Sequence, residues 1–239
     1  MRAHDRGSRR PRKRSLSGGE TVGPGAVDAL KRAVQEARYL VDRGYPNDSA
    51  VRYVSDHHRL PEAQRFVLLR TVVSADTALA RMAKARRLHA LRGMAVFVDG
   101  YNVLITTQSL LAGFPVYLCD DGFLRDTRGF FRSDNASRIT VCAFSNILDL
   151  LAAAGAARVE VLLDQQISRS GELAKEVRRL MAERALPGAA RCARDVDHQL
   201  KTCGSIVASS DGNVIDAVSS VIDLPGEIAR GRGISPLLV

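Results

Sequence analysis

Met94-Ala95-Val96-Phe97-Val98, followed by Asp99-Gly100-Tyr101-Asn102, decides the fold. A continuous apolar run of this length reads as a strand buried on both faces, and such strands belong to parallel sheets covered by helices. Asp99 follows the strand directly, at the carboxyl end where parallel α/β sheets collect their ligands.

The same pattern continues downstream. Val159-Glu160-Val161-Leu162-Leu163 and Ser205-Ile206-Val207-Ala208 read as further strands, and Val116-Tyr117-Leu118 as a short one. The stretch from Ile139 to Ala154 places Phe144, Ile147, Leu148 and Leu151 on one helical face. Gly171 to Ala185 is an amphipathic helix, and Asn213 to Val221 also reads as helical. Strands alternating with helices predict an α/β domain over residues 94–239, a mostly parallel sheet with helices on both faces.

Upstream, residues 26–92 read as a small all-α domain. Ala26 to Asp42 spaces Val27, Leu30, Val34, Ala37 and Val41 as one apolar face, and Gly44-Tyr45-Pro46 ends it. Asp48-Ser49 opens a second helix with Val51 and Val54. After the His57-His58-Arg59-Leu60-Pro61 turn comes a longer helix carrying Phe66, Leu69, Val72 and Val73, which ends in a basic stretch from Arg81 to Arg92. This region suits either a helix-turn-helix-like bundle or a brace for its neighbour. His57 and His58 read as turn or surface residues. Residues 1–25, with RRPRKR and a Ser/Gly/Pro-rich stretch, read as a disordered basic tail.

The formal net charge of +9 is unevenly spread. Residues 1–14 hold seven Arg and Lys against one acid, whereas residues 94–239 hold fifteen against seventeen. A polyanion such as RNA fits the first region through phosphate neutralisation, and a carboxylate-built metal site fits the second. The four cysteines, Cys119, Cys142, Cys192 and Cys203, form no CxxC and no zinc spacing with histidine. They read as reduced thiols of a cytoplasmic protein. No apolar run reaches the ~18–20 residues needed to span a bilayer, so no membrane partner is expected. The sequence leaves the oligomeric state open, a homo-oligomer included.

Each strand ends in or near an aspartate: Asp99 after the first, Asp164 after the middle one, and Ser209-Ser210-Asp211 after the last. Asp195 and Asp197 lie shortly before the last strand. A single aspartate in such a place is an ordinary helix N-cap. Several on one sheet edge repel one another unless a cation or proton neutralises them, and Mg²⁺ or Mn²⁺ does so through oxygen ligands. Such a cation activates water and offsets charge on a phosphodiester. Leu118 to Asp126 is also acidic, so Asp121 or Asp126 either joins the site or builds an Asp-Gly turn. Asp164 to Glu172 runs from a strand end to a helix start. There Ser168 or Ser170 reads as an N-cap, and helix N–H groups beside Arg169 suit a phosphate.

Val96-Phe97-Val98-Asp99-Gly100-Tyr101-Asn102-Val103-Leu104 resembles the opening strand and turn of the NYN/PIN-like nuclease superfamily. Val196-Asp197-His198-Gln199-Leu200 resembles its segment supplying a second acid, and Ile206 to Asn213 its final strand with a Ser/Asp turn. The resemblance covers roughly residues 94–220. It implies metal-ligand roles for Asp99, Asp197 and Asp211, a shaping role for Asn102, and a Mg²⁺- or Mn²⁺-dependent endoribonuclease. Asn213 departs from the pattern, since many members carry an Asp there; Asp216, one helical turn on, is the candidate replacement. The whole chain also resembles an uncharacterised archaeal and bacterial family with a helical N-terminal domain.

The expected catalytic set is therefore Asp99, Asp197, Asp211, Asn102 and Asp164, with Asp216 as a further metal ligand. Ser168, Arg169, Ser170, Ser209 and Ser210 are expected to orient water or substrate. Asn213 supports the opposing expectation, a non-catalytic RNA-binding or scaffold protein with a degraded site. A phosphotransferase using Asp99 as nucleophile fits less well, because Gly100 and Tyr101 replace the DxD arrangement.

Overall fold

The structure, a computed structural model, describes residues 24–127 and 136–238. The basic arm expected over residues 1–25 lies outside them, except that residues 24 and 25 already belong to the first helix. Four helices come first: α1 (Pro24–Val41), α2 (Asn47–His57), α3 (Glu62–Thr71) and α4 (Ala75–Lys84). Val34, Ala37 and Val41 of α1 pack with Val51 and Val54 of α2, and with Leu68 and Val72, in one apolar cluster.

The third helix departs from expectation. Phe66 and Leu69 are 40% and 39% exposed, because α3 turns Val67 and Leu68 inward instead. Nor is it one long helix. Val72 is extended and ends α3, and the Ser74 side chain opens α4 by accepting the Thr77 N–H. A side-chain cap of this kind satisfies a donor that the first helical turn cannot, which makes the break stable.

A 3-10 turn (Leu88–Leu91) leads into the α/β part. In chain order this contains β1 (Ala95–Asp99), α5 (Gly100–Leu111), β2 (Val116–Leu118), β3 (Leu124–Asp126), α6 (Ala136–Ala153) and β4 (Arg158–Asp164). There follow α7 (Ser170–Glu183), β5 (Gly188–Ala193), α8 (Val196–Thr202), β6 (Ile206–Ala208) and α9 (Gly212–Ala217). The last elements are β7 (Val221–Ile222), α10 (Leu224–Arg232) and β8 (Leu237–Leu238). Five strands form one all-parallel sheet in the order β5-β4-β1-β6-β7. A second sheet has the order β3-β2-β8.

Alternation along the strands sends side chains into two apolar layers, as a period of two requires. Val96, Val98, Val159, Val161 and Leu163 face a cluster containing Phe144, Ile147, Leu148 and Leu151 of α6. These four α6 side chains are fully buried, each worth roughly 1.5–3 kcal/mol of transfer free energy. Leu162 and Val207 face the opposite layer with Leu200, Val214 and Ile215, and Phe97 packs against it. The helix expected from Asn213 to Val221 is shorter than its pattern suggested. It stops at Ala217, and Val221 joins the sheet as β7.

The helical region is bound to the α/β part through polar contacts. Arg38 donates to Asp120 at 2.6 Å, Arg81 to Asp121 and Asp216, and Lys84 to the backbone oxygens of Ile215 and Asp216. The Arg86 N–H donates to the Val221 carbonyl at 2.7 Å. These contacts hold the helical region against the α/β part.

Candidate functional site

The course of the chain through the larger sheet sets the site. From β1 it passes to β4 and β5 on one side, then to β6 and β7 on the other. The order therefore reverses between β1 and β6, and the crevice beyond the carboxyl ends of such a pair is where an open α/β sheet takes its ligand. Asp99 is the last residue of β1, while Ser209, Ser210 and Asp211 follow β6 directly.

Short hydrogen bonds tie these two strand ends together. Ser209 Oγ donates to Asp99 Oδ2 at 2.8 Å and accepts the Asp211 N–H at 3.1 Å. Asn102 Oδ1 accepts both the Ser210 N–H, at 2.8 Å, and the Ser210 Oγ–H, at 2.9 Å. Asp211 caps α9 by accepting the Asn213 N–H at 2.8 Å. Ser209 and Ser210 are buried, so their hydroxyls position Asp99 and Asn102 rather than face a substrate.

Asp99 is buried, and its carboxyl is pushed up to about 7. Loss of hydration is the main cause. The Ser209 hydroxyl and the Asn102 backbone N–H favour the charged form, whereas the charges of Asp211 and Asp197 oppose it. Among the described residues, the main influences on Asp99 include no cationic side chain. Asp99, Asp197 and Asp211 are thus brought into one electrostatic group.

The other expected site residues have different surroundings. Asp164, at the end of β4, accepts the Gln166 N–H at 2.8 Å. With burial and Cys192, it helps push the Tyr101 phenol up to about 12. Asp216 is not available as the replacement acid for Asn213. Its carboxylate takes two 2.7 Å hydrogen bonds from Arg81, and these hold its pKa below the usual range. Arg169, in a left-handed conformation ahead of α7, pairs with Glu172, while Ser168 is exposed. Ser170 is buried beside Cys192.

The two open alternatives for the 118–126 segment resolve toward structure. Asp121 is fully buried between Arg81 and Arg125, at 2.9 and 2.7 Å. Burial alone would raise its carboxyl, but the two guanidiniums outweigh that and hold it low. Asp126 is buried on β3 and accepts from Thr106 Oγ at 3.1 Å.

Asp99, Asp197 and Asp211 suit a hard cation by chemistry, since every donor they offer is a carboxylate oxygen. Their carboxylate oxygens do not all lie within 4.8 Å of one another. Among the described residues, only Glu36, His57 and His58 meet that spacing. A cation reached by all three would have to be bridged to them in part through water. His57 and His58 lie at the end of α2, and His58 Nε2 is 2.9 Å from Glu36 Oε2.

A five-stranded parallel sheet with an acidic switch point, braced by four helices, defines the class of protein as mixed α/β with an all-helical N-terminal region. Residues 88–227 match the family model described as a domain of unknown function (DUF5616), and residues 29–84 match a protein of unknown function (DUF434). The chain belongs to the DUF5616 family, and residues 85–87, just after α4, separate the two matches. An uncharacterized protein of Methanocaldococcus jannaschii is 31% identical over 201 residues, which is 83% of this chain and 96% of that protein. No solved structure matches the chain. Among the described residues, no helix is long and apolar enough to cross a membrane.

Proposed function

We propose that this protein is a metal-dependent ribonuclease whose site lies at the carboxyl ends of β1 and β6. One observation carries the reading: buried Asp99 sits at the switch point under the charges of Asp197 and Asp211, with no cationic side chain among the main influences on it in the described residues. Carboxylates so placed require a proton or a cation. Mg²⁺ or Mn²⁺ bound there would supply an activated water and offset charge on a phosphodiester.

The chain's own residues do the positioning. Ser209 fixes Asp99 Oδ2, and Asn102 holds the Ser210 backbone, so that Asp211 leaves β6 in a set direction. Asp197 is exposed on α8 and is the acid most open to a hydrated ion or substrate. RNA as substrate rests on two supports. One is the resemblance of residues 96–104 to the NYN/PIN-like nucleases; the other is the dense Arg and Lys content of residues 1–14. The four free thiols suit a reducing, cytoplasmic setting.

The test is cleavage of single-stranded RNA by the full chain with Mn²⁺ or Mg²⁺, beside Asp99→Asn. Cleavage by the parent and none by the variant is expected. An inactive parent, together with metal binding unchanged in Asp99→Asn, overturns the reading. Asn213, standing where the resemblance leads one to expect a further acid, favours a second reading, an RNA-binding protein with a degraded site. It requires salt-sensitive RNA binding with no metal site.

A further inference from the structure

We propose that Arg81, on the last helix of the N-terminal region, is a positioning residue for the β6–α9 turn that carries Asp211. This rests on the metal site proposed above for its functional meaning, and on hydrogen bonds alone for its structural part. Arg81 Nη1 donates to Asp121 Oδ2 at 2.9 Å, while its Nε and Nη2 grip Asp216 at 2.7 Å each. Asp121 in turn takes two 2.7 Å bonds from Arg125, whose Nε donates to the Ser210 carbonyl at 2.7 Å. Ser210 is the residue that Asn102 holds from the other side. The chain of contacts thus runs from α4 to the strand end beside Asp99 without a gap.

A second contact is direct. The Arg81 guanidinium lies over Gly212, the residue after Asp211, so closely that a Cβ there would stand 2.5 Å from Nη2 and 3.0 Å from Cζ. One arginine therefore abuts the turn after Asp211, and the other bonds the turn before it. Asp121 is fully buried between Arg81 and Arg125, so water does not compete strongly for the bonds at that end of the bridge.

The charges decide what the bridge contributes. Two guanidiniums face two carboxylates, Asp121 and Asp216, and each arginine is committed to them. The positive charge is spent within the bridge, so it holds the turn without quenching the negative group at Asp99. The helical region is accordingly a working part of the site.

The experiment compares Arg81→Met with Arg38→Ala in the full chain. Arg38 docks the same region through three hydrogen bonds to the Asp120 carboxylate. Mn²⁺ affinity is measured well below the unfolding temperature, and backbone amide exchange is followed at Ser210 and Asp211. Arg81→Met should weaken Mn²⁺ binding about tenfold, as loss of groups that orient metal ligands does. It should also speed exchange at those two amides, with both readouts unchanged in Arg38→Ala. Should Arg81→Met fail to fold, Asp216→Asn loosens the same guanidinium from the exposed side and serves in its place. Equal effects in the two variants, or no change in exchange at Ser210 and Asp211, overturn the proposal. If the parent chain binds no Mn²⁺, the metal reading falls, and the exchange result alone decides whether Arg81 positions the turn.

Discussion

Ser209 Oγ lies 2.8 Å from Asp99 Oδ2, joining the ends of two adjacent strands at the point where the sheet order reverses. This bond favours the ionised carboxylate against the burial that opposes it. In Ser209→Ala the Asp99 carboxyl should titrate above about 7, and a buried acceptor without its donor should cost roughly 1–3 kcal/mol. Denaturant unfolding gives the second quantity, and ¹³C chemical shifts of the carboxyl give the first. An Asp99 titration unmoved by the substitution would show that the hydroxyl does not set it.

Titration of Asp99 has a definite sign. Its folded pKa of about 7 lies above the ordinary 3.8, so without metal the native state keeps a proton that the unfolded chain releases. The stability linked to this group is fully present below about 3.8 and is lost as pH rises through about 7. Metal uptake at the proposed site would displace the same proton. Mn²⁺ affinity should therefore climb from about pH 5.5 to 7 and level off above, with proton release on binding in the lower range. A flat profile over that interval would exclude Asp99 as a ligand. Asp99→Asn removes the buried charge, and at about pH 8 should raise metal-free stability in denaturant unfolding while removing the proposed metal binding.

What the sequence could and could not reveal follows from the range of the forces involved. β1 and β4 were readable because strands buried on both faces need unbroken apolar runs, which Met94–Val98 and Val159–Leu163 supply. β5 was not, since Gly188-Ala189-Ala190-Arg191 lacks large apolar side chains and lies at the sheet edge. Asp99 and Asp211 were readable because strand ends place them. The pairing of Asp216 is invisible in the sequence because its partner, Arg81, is 135 positions away and no local pattern couples them. Phe66 and Leu69 fit a helical apolar spacing yet stay exposed for a similar reason. The face that α3 buries is chosen by the tertiary neighbours of Leu68, not by spacing alone.

Asp223 should prove a structural acid. It is half-buried and accepts the Leu124 N–H at 2.8 Å and the Gly226 N–H at 3.0 Å, joining β3 to the start of α10. Burial pushes its carboxyl up to about 6 despite those donors. Asp223→Ala leaves two buried N–H groups without acceptors and should cost roughly 2–4 kcal/mol in denaturant unfolding. Asp223→Asn keeps an acceptor and removes the charge, so it should cost clearly less at neutral pH. A larger loss in Asn than in Ala would mean that the charge itself, rather than the acceptor, holds the two elements.

Gly100 gives the sharpest steric test of the switch point. It follows Asp99 and opens α5, and a Cβ there would stand 2.6 Å from the Leu162 carbonyl oxygen and 2.6 Å from Leu163 Cδ2. The Leu163 side chain can rotate away. The Leu162 oxygen is part of β4, which is paired in register with β1, so relief must come from moving α5 off the sheet. Because α5 also carries Asn102, that movement would pull its amide from Ser210. Gly100→Ala should therefore cost about 1–3 kcal/mol, the usual range for overpacking a filled interior. It should also weaken Mn²⁺ binding in protein that remains folded. Loss of stability with metal affinity intact would show that the β1–α5 turn supports the sheet without setting the geometry of the acids.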